Sequence, residues 1–231
     1  MNAVLGFDTA TPDTVVALAV DGAEPRELRH APAPGERPGH ARELLPLASA
    51  LLDRAGLAFA DVARIGVGVG PGTFTGLRIG VATARALAQG SGAELAPVST
   101  LEALAAASGH DGPVLAVVDA RRGEAFAAAW LGDEQLLEPV AVKPSELPGL
   151  VAATGRGAGA WLAVGNGAIA VRDQLEPAAV AVPADGSPCH RVSAVAICRL
   201  AVRSAPIERD ALVPEYVRVP DAEEAWRRAR R

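Results

Sequence analysis

The sequence predicts an α/β fold of two lobes with related topology, and three observations carry that prediction. β-Branched apolar runs alternate with segments of helical periodicity along most of the 231 residues. A hairpin whose first strand ends on an acid occurs twice, at Asp8 and again at Asp119. Half of the residues are apolar but only 3% are aromatic, so the layers must be thin and packed with Ala, Val and Leu. A chain of this length can bury a full core as one larger domain or two small lobes.

In chain order, "VLGF" leads to Asp8, and the turn-rich "TATPD" leads to the strand-like "TVVALAV". A less regular third strand and the loop "PGERPG" follow. In "HARELLPLASALLDRAG" the sets Leu44, Leu47, Leu51 and Leu45, Ala48, Leu52 form overlapping apolar faces at helical spacing. Pro46 either kinks this helix or lies in its first turn. "ARIGVGV" reads as a buried strand, and "TGLRIGVATARALAQG" as a long helix stopped by Gly90. "AELAPVSTLEALAAASG" supplies a strand and a short helix capped by Ser99 or Thr100. The pattern then restarts: "PVLAVVDARRGEAFAAAW" runs to Asp119, turns through Arg121 to Gly123 and continues as a strand to Trp130. The lobe boundary is expected near residues 105–113, dividing the chain into 1–106 and 107–231. Beyond it, "ATGRGAGA" reads as a flexible loop, "WLAVGNGA" as a strand and turn, "PADGSP" as an exposed loop and "VSAVAICRLAVRS" as a helix. "DAEEAWRRARR" reads as a charged final helix.

The net charge of -5 argues against a free-standing nucleic-acid binder and leaves room for a local basic patch. Cys189 and Cys198 belong to no zinc-spaced cluster, which favours a reduced, cytosolic protein. The opening segment has no basic leader and is broken by Asp8, Pro12 and Asp13, so it reads as neither signal peptide nor membrane span. No pair among His30, His40, His110 and His190 has the spacing of helical metal ligands.

The segment "GVGVGPGTFTGLRIG" at 66–80 invites a phosphate-binding reading. A Walker A loop fails, because five residues separate Gly70 from Gly76 where the motif has four, and Leu77 and Arg78 stand where Lys and Ser/Thr are needed. The dinucleotide fingerprint fails as well, since Thr73 occupies the third glycine position. A strand-to-helix turn remains, whose first N–H groups could still meet an anion. Further along, Gly76, Gly80, Ala84 and Ala88 recur every four residues. Each Gly in that stripe costs roughly 1 kcal/mol of helicity relative to Ala, so close approach by a neighbour should compensate. That neighbour is either internal or a partner subunit, and periodicity does not separate the two.

"GVGPGTFTGLRIGVATARALA" resembles the hallmark segment of the TsaB (YeaZ) family. So do "LGFDTAT", the His40–x-x-x–Leu44–Leu45–Pro46 spacing, "PVSTLEALA", "VDARRGEAF" and "PEYVR", in family order. Residues 145–210 carry no motif of that family. The resemblance implies the actin and sugar-kinase (ASKHA) fold, with two lobes of related βββαβα topology. It also implies a cytoplasmic, non-catalytic scaffold without a metal or cofactor of its own. Such a subunit pairs with the catalytic subunit TsaD, in a complex completed by the ATPase TsaE, to make N6-threonylcarbamoyladenosine in tRNA next to the anticodon. ATP or ADP would be met only at the complex interface and tRNA only through the complex, and a homodimer could form when the chain is alone.

Pairing in the family uses helices corresponding to 39–55 and 75–90. The candidate interface residues are therefore His40, Leu44, Leu47, Leu51, Thr75, Gly76, Arg78, Gly80, Thr83, Ala84 and Leu87. On this reading Gly80→Leu leaves the chain folded and abolishes pairing. TsaD-like relatives hold a metal through HxxxH after the long helix, where this chain has "PVSTLEALA" and no histidine. Actin-like ATPases follow the acid of each hairpin with close glycines, which "DTAT" and "DARRG" lack. Asp8 is then a hydrogen-bonded turn residue, with Asp8, Thr9 and Arg121 as the candidate nucleotide or anion contacts. The competing readings are a metallopeptidase or an ATP-dependent phosphotransferase of the same superfold, and direct tRNA contact by Arg227, Arg228, Arg230 and Arg231.

Overall fold

The computed structural model describes residues 2–33, 35–157 and 161–218. One sheet holds β1 (Ala3–Asp8), β2 (Thr14–Val20), β3 (Arg26–His30), β4 (Val62–Gly70) and β5 (Glu94–Ser99) in the order β3-β2-β1-β4-β5. The first three strands are antiparallel neighbours, and β4 and β5 run parallel to β1. The other sheet holds β6 (Val114–Arg121), β7 (Glu124–Leu131), β8 (Glu134–Val142), β9 (Trp161–Val164) and β10 (Val180–Ala181) in the order β10-β9-β6-β7-β8. Counted from its far edge, that order and its strand senses repeat the first sheet. The repeated hairpin of the sequence is therefore the visible part of a duplicated βββαβα unit.

Helices α1 (His40–Ala55) and α2 (Phe74–Ser91) cover the outer face of the first sheet. Strand alternation explains the division of faces. Ala3, Leu5 and Phe7 of β1 and Ile65, Val67 and Val69 of β4 point outward to these helices, where Leu44, Ala48, Leu51 and Leu52 of α1 meet them. On the second sheet, α4 (Leu147–Ala153), α5 (Asn166–Ala170) and α6 (Arg172–Leu175) play the outer part, packing Leu147, Val151 and Leu175.

Between the sheets lie α3 (Thr100–Ala107) and α7 (Ala194–Arg203). Leu101, Leu104, Ile197 and Leu200 on these helices join Val4 and Val15 of one sheet to Val118, Phe126 and Trp130 of the other in one continuous core. α7 can approach so closely because glycine occupies the inward positions beneath it. A Cβ at Gly6 would lie 2.6 Å from Cys198 Sγ, and one at Gly66 2.7 Å from Ala201 Cβ. The start of α7 is fixed by Glu27 of β3, whose carboxylate accepts from Ser193 Oγ (3.0 Å) and from the N–H of Ala194 (2.8 Å). After α7 the chain stays on the first sheet: Ile207 bridges Leu95, and the N–H of Glu215 donates to Val69 O at 2.7 Å.

Several expectations change. α7 and residues 207–215, which lie in the expected second lobe 107–231, return to the first sheet. α2 ends one residue past Gly90, capped by Gly92 in the left-handed region (φ 76°), where glycine carries no Cβ penalty. Pro46 lies inside α1 beyond its first turn. The segment after β9 continues as α5, not as a simple turn. The expected final helix and its four arginines fall outside the described residues. Among the described residues no helix is long and apolar enough to cross a membrane.

Candidate functional site

The glycine-rich segment holds the chain's own first turn. Gly68 of β4 faces Asp8, and a Cβ there would fall 1.8 Å from Asp8 Oδ2. On α2, a Cβ at Gly76 would sit 1.9 Å from Thr9 O, and one at Gly80 2.5 Å from Thr9 Oγ1. Thr9 Oγ1 donates to Gly76 O (2.8 Å), and the N–H of Thr73, at the head of α2, donates to Ala10 O (2.8 Å). The place where an anion could have met the helix start is taken by this turn. The small-residue stripe faces inward, so its compensating neighbour is internal. Gly80→Leu would therefore drive a side chain into Thr9 instead of testing an interface.

Asp8 and Thr9 are fully buried. The carboxylate of Asp8 accepts from Thr100 Oγ1 (2.7 Å) and from the N–H of Ala10 (2.8 Å). Desolvation pushes the Asp8 carboxyl above its ordinary value, while the bonds from Thr100 and Ala10 oppose that rise. This acid joins β1, α3 and its own turn, out of reach of a ligand. As candidate anion contacts, Asp8 and Thr9 are withdrawn by their burial.

Asp119, the counterpart of Asp8 in the duplicate, is half-exposed, and its Oδ1 accepts the N–H of Arg121 at 2.8 Å. It borders a cleft of about 450 Å³ between residues 71–74, the β6–β7 turn and residues 215–218. Arg121 and Arg122 stand in that turn with left-handed backbones (φ 64° and 56°), and Arg121 keeps 68% of its side chain exposed. Across the cleft Phe74 stacks on Tyr216 with ring centroids 5.6 Å apart. The guanidinium carbon of Arg78 lies 3.8 Å from the Phe74 centroid, and Arg78 Nε donates to Tyr216 Oη at 3.1 Å. Arg218 pairs with Glu124 at 2.7 Å. Sequence reasoning did not single out Phe74, Tyr216 or Arg218, and took Thr100 only as a candidate helix cap. Each stands within or beside a family-matching segment, and only the tertiary contacts distinguish it there.

The interface candidates separate by burial. His40, Leu44, Leu51, Gly76, Gly80 and Ala84 are buried within the chain. These six are not on a surface that a second chain reaches in this conformation. His40 Nδ1 is 2.8 Å from Thr14 Oγ1. Burial lowers the His40 pKa, Asp13 opposes the shift and His30 adds to it. Leu47, Thr83 and Leu87 are half-buried, while Thr75 and Arg78 are exposed. Beside them on the outward face of α1 and α2 lie Ala82, Ala86 and Leu45, which is 45% exposed.

The family model that matches residues 36–185 is described as TsaD: tRNA N6-adenosine threonylcarbamoyltransferase. The chain is 35% identical over 134 residues to "tRNA threonylcarbamoyladenosine biosynthesis protein TsaB" of Escherichia coli, covering 57% of this chain and 56% of that protein. The protein of the same name from Bacillus subtilis is 38% identical over 102 residues, 44% of each chain. The match thus spans about half the length of these relatives. Among solved structures, YeaZ from Pseudomonas aeruginosa superposes with a TM-score of 0.75 at 30% identity, covering 94% of this chain and all of that one. The duplicated βββαβα unit and this superposition give the chain the actin and sugar-kinase-like (ASKHA) fold.

Proposed function

This chain belongs to the TsaB/YeaZ family, and on that premise we propose that it serves N6-threonylcarbamoyladenosine biosynthesis as the non-catalytic subunit that pairs with a TsaD-like catalytic subunit. It acts in the cytoplasm, and a TsaE-like ATPase completes the assembly. One observation carries the non-catalytic half of this reading: the Asp8–Ala10 turn fills the glycine cradle, and Asp8 is sealed by Thr100 and Ala10. An acid held in this way is not available to position a metal or a phosphate. The continuous core through α3 and α7 supports the same role, since it ties the two sheets together where a transferase that closes on its substrate needs them to move.

The pairing surface is the outward face of α1 and α2. Thr75, Ala82 and Ala86 with Leu45 offer a shallow strip on which another helix can lie. The same strip would serve a homodimer when the partner is absent. Any ATP or ADP is met at the complex interface, with Arg121 the remaining candidate contact.

Co-purification from the native cytosol tests the proposal, with a TsaD-like protein expected at about one copy per chain. A deletion strain should lose threonylcarbamoyladenosine from its tRNA and regain it on complementation. Stoichiometric metal in the purified chain, or ATP turnover by the chain alone, would favour the peptidase or phosphotransferase reading instead.

A further inference from the structure

We infer that the rim of the inter-sheet cleft binds single-stranded RNA directly, with Phe74 and Tyr216 as a stacking platform and Arg121, Arg122 and Arg78 as phosphate contacts. The reading as a tRNA-modification subunit supplies only the choice of RNA; the site itself rests on its own geometry. Large aromatic side chains are scarce in this chain, yet two of them stack on one another at the surface. Phe74 is 43% exposed and Tyr216 40%. Arg78 is held over the Phe74 ring and bonded to the tyrosine hydroxyl, so the platform is rigid before any ligand arrives. A preordered aromatic face suits an unpaired base, because every base offers a π surface.

Charge points the same way. The chain carries -5 overall, but four guanidinium groups gather at this rim: Arg78, Arg121, Arg122 and Arg218. The nearby acids are partly engaged internally. Asp119 accepts from the backbone of Arg121 and lies 3.7 Å from its Nε, and Glu124 is taken by Arg218. The remaining acid at the rim, Glu215, lies on the strap that carries Tyr216. The 450 Å³ cleft beside the platform has room for one base and its flanking phosphates. The rim thus sets four arginines against three acids on the fold itself, at a turn whose two arginines project from left-handed backbones.

The test uses the full-length chain and a labelled, unmodified tRNA transcript at about 50 mM salt, read by fluorescence anisotropy. Wild type is expected to bind with an affinity that falls as salt rises. Phe74→Ala should weaken binding about tenfold, and Phe74→Trp should restore it. Arg121→Ala should weaken binding several-fold and flatten the salt dependence. Thermal melting of Arg121→Ala should match wild type, while Phe74→Ala, which also loses its contacts with Tyr216 and Arg78, should melt slightly lower but still cooperatively. Failure of wild type to bind, or unchanged binding by Phe74→Ala, overturns the inference and places any affinity elsewhere, such as the arginine-rich terminus. A parallel titration with ATP separates the sources: ATP binding with the same dependence on Phe74 would make this a free-nucleotide site and overturn the RNA assignment. Pairing with the TsaD-like subunit is read in a separate arm, so loss of that pairing would strike the functional proposal and not this one.

Discussion

Two glycines of one helix make opposite predictions at the residue scale. Gly76 sits 1.9 Å, measured to a hypothetical Cβ, from Thr9 O, so Gly76→Ala must displace the buried turn and should cost about 3 kcal/mol in urea unfolding. Gly90 has nothing within 4 Å of that position, so Gly90→Ala should stabilise by about 0.5 kcal/mol through helix propensity alone. Asp8 gives a pH signature. Its folded pKa is raised above the ordinary 3.8, so the folded state holds the proton more tightly than the unfolded state. The stability this contributes is present below pH 3.8 and is lost as pH rises through the folded value. Asp8→Asn should remove that downward slope from a stability–pH profile, and a persistent slope would point to another acid. The sequence shows the acid and the glycines but not their contact, because Asp8, Gly68 and Thr100 are joined only by the packing of β1, β4 and α3.

At the scale of elements, periodicity made most strands and helices legible. "GVGVG" alternates valine toward α1 and α2 with glycine toward α7 and Asp8, a period of two that a strand imposes. The stripe Gly76, Gly80, Ala84, Ala88 was visible too, yet its direction was not. A helix face of small residues admits any close neighbour, and here the neighbours are the Asp8–Ala10 turn and the sheet. The outward strip of Thr75, Ala82 and Ala86 also lies on one helix face, at spacings of seven and four residues, a weaker pattern than the stripe of four. His40 opens α1, and its lowered pKa predicts a pH-dependent element. Folded His40 resists protonation, so stability is complete above pH 6.5 and falls as pH drops through that value toward the folded one. His40→Asn, which does not titrate, should flatten this part of the melting profile, and an unchanged profile would assign the effect to another histidine.

Over the whole molecule, duplication was read from one repeated hairpin, while the shared interior was not readable at all. α7 belongs by sequence to the second unit but packs against β1, β2 and β4 of the first sheet, and a contact at that separation leaves no local pattern. Its consequence is cooperativity. In a Trp226→Phe background the fluorescence of Trp161 in the second sheet and Trp130 in the shared core should change at the same urea concentration as the circular dichroism of the entire chain. Two separate transitions would mean that the sheets fold independently. Ile197→Ala, in the middle layer, should lower stability by about 3 kcal/mol and shift both probes together. The proposed pairing through α1 and α2 is tested most directly by isothermal titration of the full chain with its own TsaD-like subunit. A one-to-one complex is expected that Ala86→Glu weakens at least about tenfold without altering the melting temperature; equal affinity of the variant and wild type would contradict pairing through this face.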